Sequence, residues 1–151
     1  MKKLAKLMAV LSIAFLFSCS SDDGGSSTSG DAIVGKWKLI SSTENGVAQV
    51  FDACDLMERT EFKSNGDFIG EDYDLENGDC VLQDPSEPGL TVNMKWEKVA
   101  DNSYEVKFFL NGQESPMKLS FTTVFSNNNN TVTTTATEED GDVVVSVMEK
   151  M

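Results

Sequence analysis

From Ile33 to the C-terminus, apolar and polar residues alternate in short runs, and pairs of turn-forming residues separate those runs. Ile33, Gly35, Trp37 and Leu39 interleave with Lys36 and Lys38. Leu56 and Phe62 share a parity. Leu90, Val92, Met94 and Trp96 interleave with Thr91, Asn93, Lys95 and Glu97, and Tyr104, Val106, Phe108 and Leu110 with Glu105 and Lys107. Met117, Leu119, Phe121, Thr123 and Phe125 follow, then Val132, Thr134 and Ala136, then Val143, Val145 and Val147. A period of two sends every second side chain to one face, the pattern of a half-buried strand. No segment carries a sustained helical period.

The breaks are turn chemistry. Asn65-Gly66, Asp101-Asn102, Asn111-Gly112 and Asp140-Gly141 adopt positive φ at little cost, and Asn127–Asn130 forms a longer polar loop. The pattern predicts eight strands, at about 33–42, 56–64, 67–74, 91–99, 103–110, 117–126, 131–138 and 142–150. One helical turn over Phe51–Leu56, capped by Asp52, precedes the second strand. Short turns between successive strands imply an antiparallel meander. Eight such strands close most economically into an up-and-down barrel, because closure removes the unpaired edges. An open sandwich is the alternative. An eight-stranded barrel is just wide enough inside for side chains or one small ligand.

The hairpin at Asn65 tests the register. A two-residue loop pairs Phe62 with Ile69. A three-residue loop, with Gly66 left-handed, pairs Phe62 with Phe68 and Lys63 with Asp67. The second arrangement puts two aromatics on one face and opposite charges on the other, and is preferred. In that register Phe62, Phe68, Met94, Trp96, Val106, Phe108, Leu119 and Phe121 face inward. Of these, Phe62, Phe68, Met94, Trp96, Phe108 and Phe121 are the candidates to line a cavity for a small hydrophobic ligand. The competing reading is that they simply fill the core, which would leave a structural or protein-interaction module.

Upstream of the strands the chain reads as an address. Lys2, Lys3 and Lys6 precede an apolar run from Leu7 to Phe17, too short to span a bilayer and the right length for a secretory signal. The run ends in Leu16-Phe17-Ser18-Cys19, which resembles the lipobox of bacterial lipoproteins. The resemblance implies cleavage after residue 18, a diacylglyceryl thioether on Cys19 and an acyl chain such as palmitate on its amino group. Several acyl chains give durable membrane anchoring. Ser20-Ser21-Asp22-Asp23 after the lipidated Cys resembles the export tag of surface-exposed Gram-negative lipoproteins, so we expect an outer-membrane, cell-surface protein, with the periplasmic leaflet as the alternative. Residues 19–32 are small and polar and read as a lipidated tether. The domain then occupies 33–151.

Charge and cysteine content follow from that division. The full chain carries 12 basic and 25 acidic residues. Loss of the leader removes three lysines and leaves a net charge of −16. Such acidity disfavours nucleic acid as a partner. It also leaves membrane attachment to the lipid. Of three cysteines, Cys19 goes to the lipid, and Cys54 and Cys80 are expected to pair in an oxidising compartment. That closes a loop that stabilises by roughly 3 kcal/mol. Two free thiols are the alternative.

The chain has no histidine. This excludes Ser-His-Asp and Cys-His catalysis and His-ligated zinc or haem. Glu58 opposite Asp72, on the inward face, is a pair suggestive of acid–base chemistry, but a register slip near the strand end or a solvated mouth accounts for it better. Asp72-Tyr73-Asp74-Leu75-Glu76-Asn77-Gly78 has Asn77 and Gln83 where a calcium loop needs Gly and Glu, so the acidic runs Asp72–Asp79 and Glu138–Asp142 read as solvated loops. We expect no enzyme activity, no cofactor and no metal.

The residues also carry a family resemblance. Ile33-Val34-Gly35-Lys36-Trp37-Lys38-Leu39 resembles the opening Gly-x-Trp strand of lipocalins. The order of Asn45-Gly46, Cys54, Phe62-x-x-Asn65-Gly66-x-Phe68, Cys80 and Trp96 resembles the lipocalin-like domain of many bacterial lipoproteins. The resemblance implies a small barrel or half-barrel whose closed end is plugged by Trp37, with Gly35 beside it. Lipocalins usually stack a late Arg on that Trp. Here the only arginine is Arg59, and Lys150 is the late cation available for a weaker contact.

Overall fold

The computed structural model describes residues 30–83 and 89–151. The leader, Cys19 and the tether as far as residue 29 lie outside the described residues. The strands are β1 (Gly35–Glu44), β2 (Val47–Ala48), β3 (Arg59–Phe62), β4 (Asp67–Glu71), β5 (Tyr73–Glu76), β6 (Asp79–Leu82), β7 (Val92–Ala100), β8 (Ser103–Leu110), β9 (Gln113–Ser126), β10 (Thr131–Thr137) and β11 (Val143–Lys150). The main sheet runs β1-β3-β4-β7-β8-β9-β10-β11, and β11 pairs back with β1, so the eight-stranded antiparallel barrel is closed. No helix among the described residues is long and apolar enough to cross a membrane.

The hairpin register is the three-residue one. Phe62 pairs with Phe68, the Lys63 amide donates to the Asp67 carbonyl, and Gly66 sits at φ +87°. The two rings meet edge-on at 5.0 Å. Asp52 caps the turn before β3: its carboxylate accepts from the Cys54 and Asp55 amides, while Asp55 accepts from the Asp52 amide. The 3₁₀ turn itself covers Asp55–Met57, so Leu56 is exposed there and the strand begins at Arg59.

Four differences from the alternation have physical causes. The third predicted strand stops at Glu71. The chain then leaves the barrel as a separate hairpin, β5–β6, turning through Asn77 and Gly78, both at positive φ. The Asp72–Asp79 run is therefore strand and turn, not open loop. The Cys54–Cys80 disulfide ties this hairpin to the turn that precedes β3. In β9 the strand starts at Gln113, because a bulge against β8 between Lys107 and Phe109 accommodates Pro116, which has no amide hydrogen to give a ladder. A bulge in β1 between Leu39 and Ser41 inverts its parity, so Trp37, Leu39 and Ser42 face inward and Ile40 outward. In β11 the inward residues are Val144, Ser146 and Met148, because pairing with β1 and β10 places Met148 beside Leu39 and Val132. The valines Val143, Val145 and Val147 take the other face.

The closed end of the barrel is solid. Ile33, Trp37, Phe62, Trp96, Tyr104, Val106, Phe121, Val132 and Met148 form one buried cluster. The Trp37 indole N–H donates to the Ile33 carbonyl at 2.7 Å, and Lys150 Nζ stands 5.1 Å from the centre of a Trp37 ring. Gly35 makes room for that lysine: at φ +140° a Cβ here would lie 2.6 Å from Lys150 Cε.

Asp31, assigned to the tether from the sequence, is part of this end. Its carboxylate accepts from the Tyr104 hydroxyl at 2.6 Å, from Lys98 at 3.1 Å and from the Ile33 amide at 3.1 Å. Burial opposes ionisation, but these three donors outweigh it and hold the Asp31 carboxyl below the usual range. Burial and the neighbouring carboxylate push the Tyr104 phenol upward, which keeps it a donor.

Candidate ligand cavity

At the opposite end the barrel is hollow. A cavity of about 300 Å³ is bounded by inward residues of six strands together with Glu58 and Glu138 at strand ends. Successive inward positions order it along the barrel axis. On the β3 wall the order from floor to mouth is Phe62, Thr60, Glu58. On β10 it is Thr134, Ala136, Glu138, and on β11 Met148, Ser146, Val144. Phe121 and Phe62 form the floor, where they also pack on the solid core, with centroids 6.1 Å apart. Phe68 and Leu119 complete the apolar wall. The polar belt is hydroxyl-bearing: Thr60, Thr134 and Ser146, the last sharing a 3.0 Å hydrogen bond with Ser42.

Of the six candidates named from the sequence, the structure brings Phe62, Phe68 and Phe121 to the cavity. Met94, Trp96 and Phe108 face inward but do not line it. Trp96 is 3% exposed, donates its indole N–H to the Lys63 carbonyl at 2.8 Å and meets Phe62 edge-on at 5.7 Å, so it fills space behind the floor. Met94 and Phe108 pair across β7 and β8 and pack against the same solid cluster. A period-two pattern tells which face a residue occupies but not how far along the barrel the filled part ends. The lining from β10 and β11 was missed. Thr134, Ala136 and Ser146 are small or hydroxylated, and small inward residues next to large ones are the signal that marks space.

The mouth is acidic. Glu58 faces Asp72 within hydrogen-bonding reach, as the β3–β4 register requires. Loss of hydration comes first. The hydrogen bond and charge of Asp72, then the charges of Asp55 and Asp52, add to it and push the Glu58 carboxyl up to about 7. The nearest cation in sequence, Arg59, turns its guanidinium to the backbone carbonyls of Leu56 and Glu58. Among the described residues no ion pair involves Glu58, Asp72 or Glu138. Also among the described residues, no three Asp, Glu or Cys converge as a metal site requires.

A larger hollow of about 930 Å³ lies along the β4–β7 seam, where only Asp67–Lys95 and Phe68–Met94 pair. It is a groove edged by charged groups, including the Lys95–Asp67 ion pair, rather than an interior space.

Residues 33–91 match the family model described as a lipocalin-like domain. No curated protein and no solved structure matches the chain. With the Gly-x-Trp strand plugging one end, the other end hollow and eight antiparallel strands closing between them, the closed all-β barrel is consistent with a lipocalin-like fold.

Proposed function

We propose that the protein is a non-catalytic lipoprotein, anchored in the outer membrane through Cys19 and exposed at the cell surface, whose barrel takes up a small, mainly apolar ligand through its open end. The observation that carries the binding part is the cavity: about 300 Å³ of space with a phenylalanine floor, a hydroxyl belt and an open mouth. That volume stands at the lower end of known ligand pockets. A water molecule's share of liquid volume is about 30 Å³, so the cavity suits a ligand of on the order of ten non-hydrogen atoms. Haem-sized molecules are too large for it. The anchoring part is supported by the lipobox-like Leu16-Phe17-Ser18-Cys19 and the acidic residues after it.

Calorimetric titration of the full-length protein with hexanol and decanol tests binding. We expect saturable one-site binding that Ala136→Trp, which fills the cavity, abolishes without lowering the melting temperature. Absence of saturable binding in folded protein overturns this reading and favours an interaction module. Metabolic labelling with an alkynyl fatty acid tests the anchor, with the label expected to disappear in Cys19→Ala. Surface protease shaving then separates cell-surface exposure from the periplasmic leaflet.

A further inference from the structure

The cavity sorts its lining along one axis: aromatic rings at the floor, hydroxyls in the middle and carboxylates at the mouth. Only two titratable side chains line it, Glu58 and Glu138. Both are acids, and they rise from different walls, one ahead of β3 and one after β10. Asp72 stands against Glu58, and Asp55 and Asp52 lie close enough to act on it. No lysine or arginine lines the space. Lys36 and Lys95 are held on Glu71 and Asp67. A ligand entering tail-first therefore leaves its head among carboxylates that have no cation of their own.

We infer that the cavity is selective for amphiphiles with an apolar tail and a cationic head, such as a short-chain alkylamine or arylalkylamine, the head lying between Glu58 and Glu138. This deepens the proposed ligand-binding function and rests on it. A cation at the mouth removes the repulsion between Glu58 and Asp72, since both can then be ionised against it. An anionic head meets two or three like charges and loses its hydration with nothing in exchange. A neutral head gains only the hydroxyl belt. Selectivity is thus a property of the mouth, whereas retention is a property of the floor.

The ordering has a pH signature. Glu58 loses its proton through the neutral range, while an alkylamine keeps its charge there. Attraction for the amine therefore grows between pH 5 and pH 8. The groups that set this response are Asp72, Asp55 and Asp52 around Glu58, Glu138 across the mouth, and Arg59, whose guanidinium is engaged by backbone carbonyls.

The test is calorimetric titration of the full-length protein with octylamine, octanol and octanoate below their aggregation concentrations, at pH 5 and pH 8. We expect the order octylamine, octanol, octanoate, with the amine preferred over the alcohol by about tenfold at pH 8, less at pH 5, and less again at high salt. In Glu58→Gln and in Glu138→Gln the ratio of amine to alcohol affinity moves toward one, while Glu105→Gln on the outer wall keeps it. The two mouth variants are separate, so failure of one to fold leaves the other to decide. Equal affinities, or preference for octanoate, overturn the head-group inference and leave the binding function standing. Absence of binding by all three, with hexanol and decanol also unbound, overturns both.

Discussion

Replacing Gly35 by alanine tests how the closed end is built. Two costs add. At φ +140° an L side chain is strained, by about 1–3 kcal/mol. The new Cβ also lies 2.6 Å from Lys150 Cε. A lysine tip moves easily, so the clash itself is cheap, but moving it takes Nζ off the Trp37 ring at 5.1 Å and away from the Ala32 carbonyl at 3.4 Å. The cation–π part contributes about 0.5–2 kcal/mol. Together Gly35→Ala costs about 3 kcal/mol of a total that for such domains is about 5–15 kcal/mol. Urea unfolding followed by tryptophan fluorescence measures it. The same substitution in a Lys150→Ala background costs only the backbone strain, so the cycle shows a coupling of about 0.5–2 kcal/mol. An equal cost in both backgrounds refutes the lysine contact, and a cost below about 0.5 kcal/mol in the native background refutes the whole argument.

Glu58→Gln changes the pH dependence of stability. The folded carboxyl is raised to about 7, so between its ordinary value and 7 the native state binds more protons than the unfolded chain, and stability falls as pH rises through that window. Discounted for its partial exposure to water, the effect is about 1–2 kcal/mol, and urea midpoints of the Gln variant are expected to lose this decline. Tyr104→Phe removes a 2.6 Å hydrogen bond and leaves Asp31 short of a donor, at a cost of about 1–3 kcal/mol. A melting temperature equal to that of the parent would count against the closed-end network. Reduction of Cys54–Cys80 lowers stability by roughly 3 kcal/mol. It also frees β5–β6, detectable as faster amide exchange in residues 73–82 than in β8.

The barrel was legible because each strand has one wet face, and period two records that directly. The Phe62–Phe68 register was legible because hairpin loops of two and three residues differ in which partners they join, and only one choice matched aromatics with aromatics and Lys63 with Asp67. The floor of the cavity was legible to the same depth, through Phe62, Phe68 and Phe121. The inward set of β11 was not. Val143-Val144-Val145 is apolar on both faces, so alternation carries no sign there, and pairing with β1 selects Val144 and Met148. Nor was β5–β6 legible, since its short exposed strands bury little and the acids along it look like loop.

Sequence alone determined the all-β strand pattern, the two cysteines available to pair and the cation available to Trp37, because these follow from side-chain periodicity and from which residue types occur at all; closure of the barrel and formation of the disulfide are settled by the tertiary pairing. Tertiary structure alone decided where filling stops and space begins. A bulge in β1 shifts the inward parity, the edge-on rings of Phe62 and Trp96 fill the closed half, and the small residues of β10 and β11 leave the mouth open. A cavity is the difference between the volume that strands enclose and the volume that side chains occupy, and only packing from all walls at once determines it.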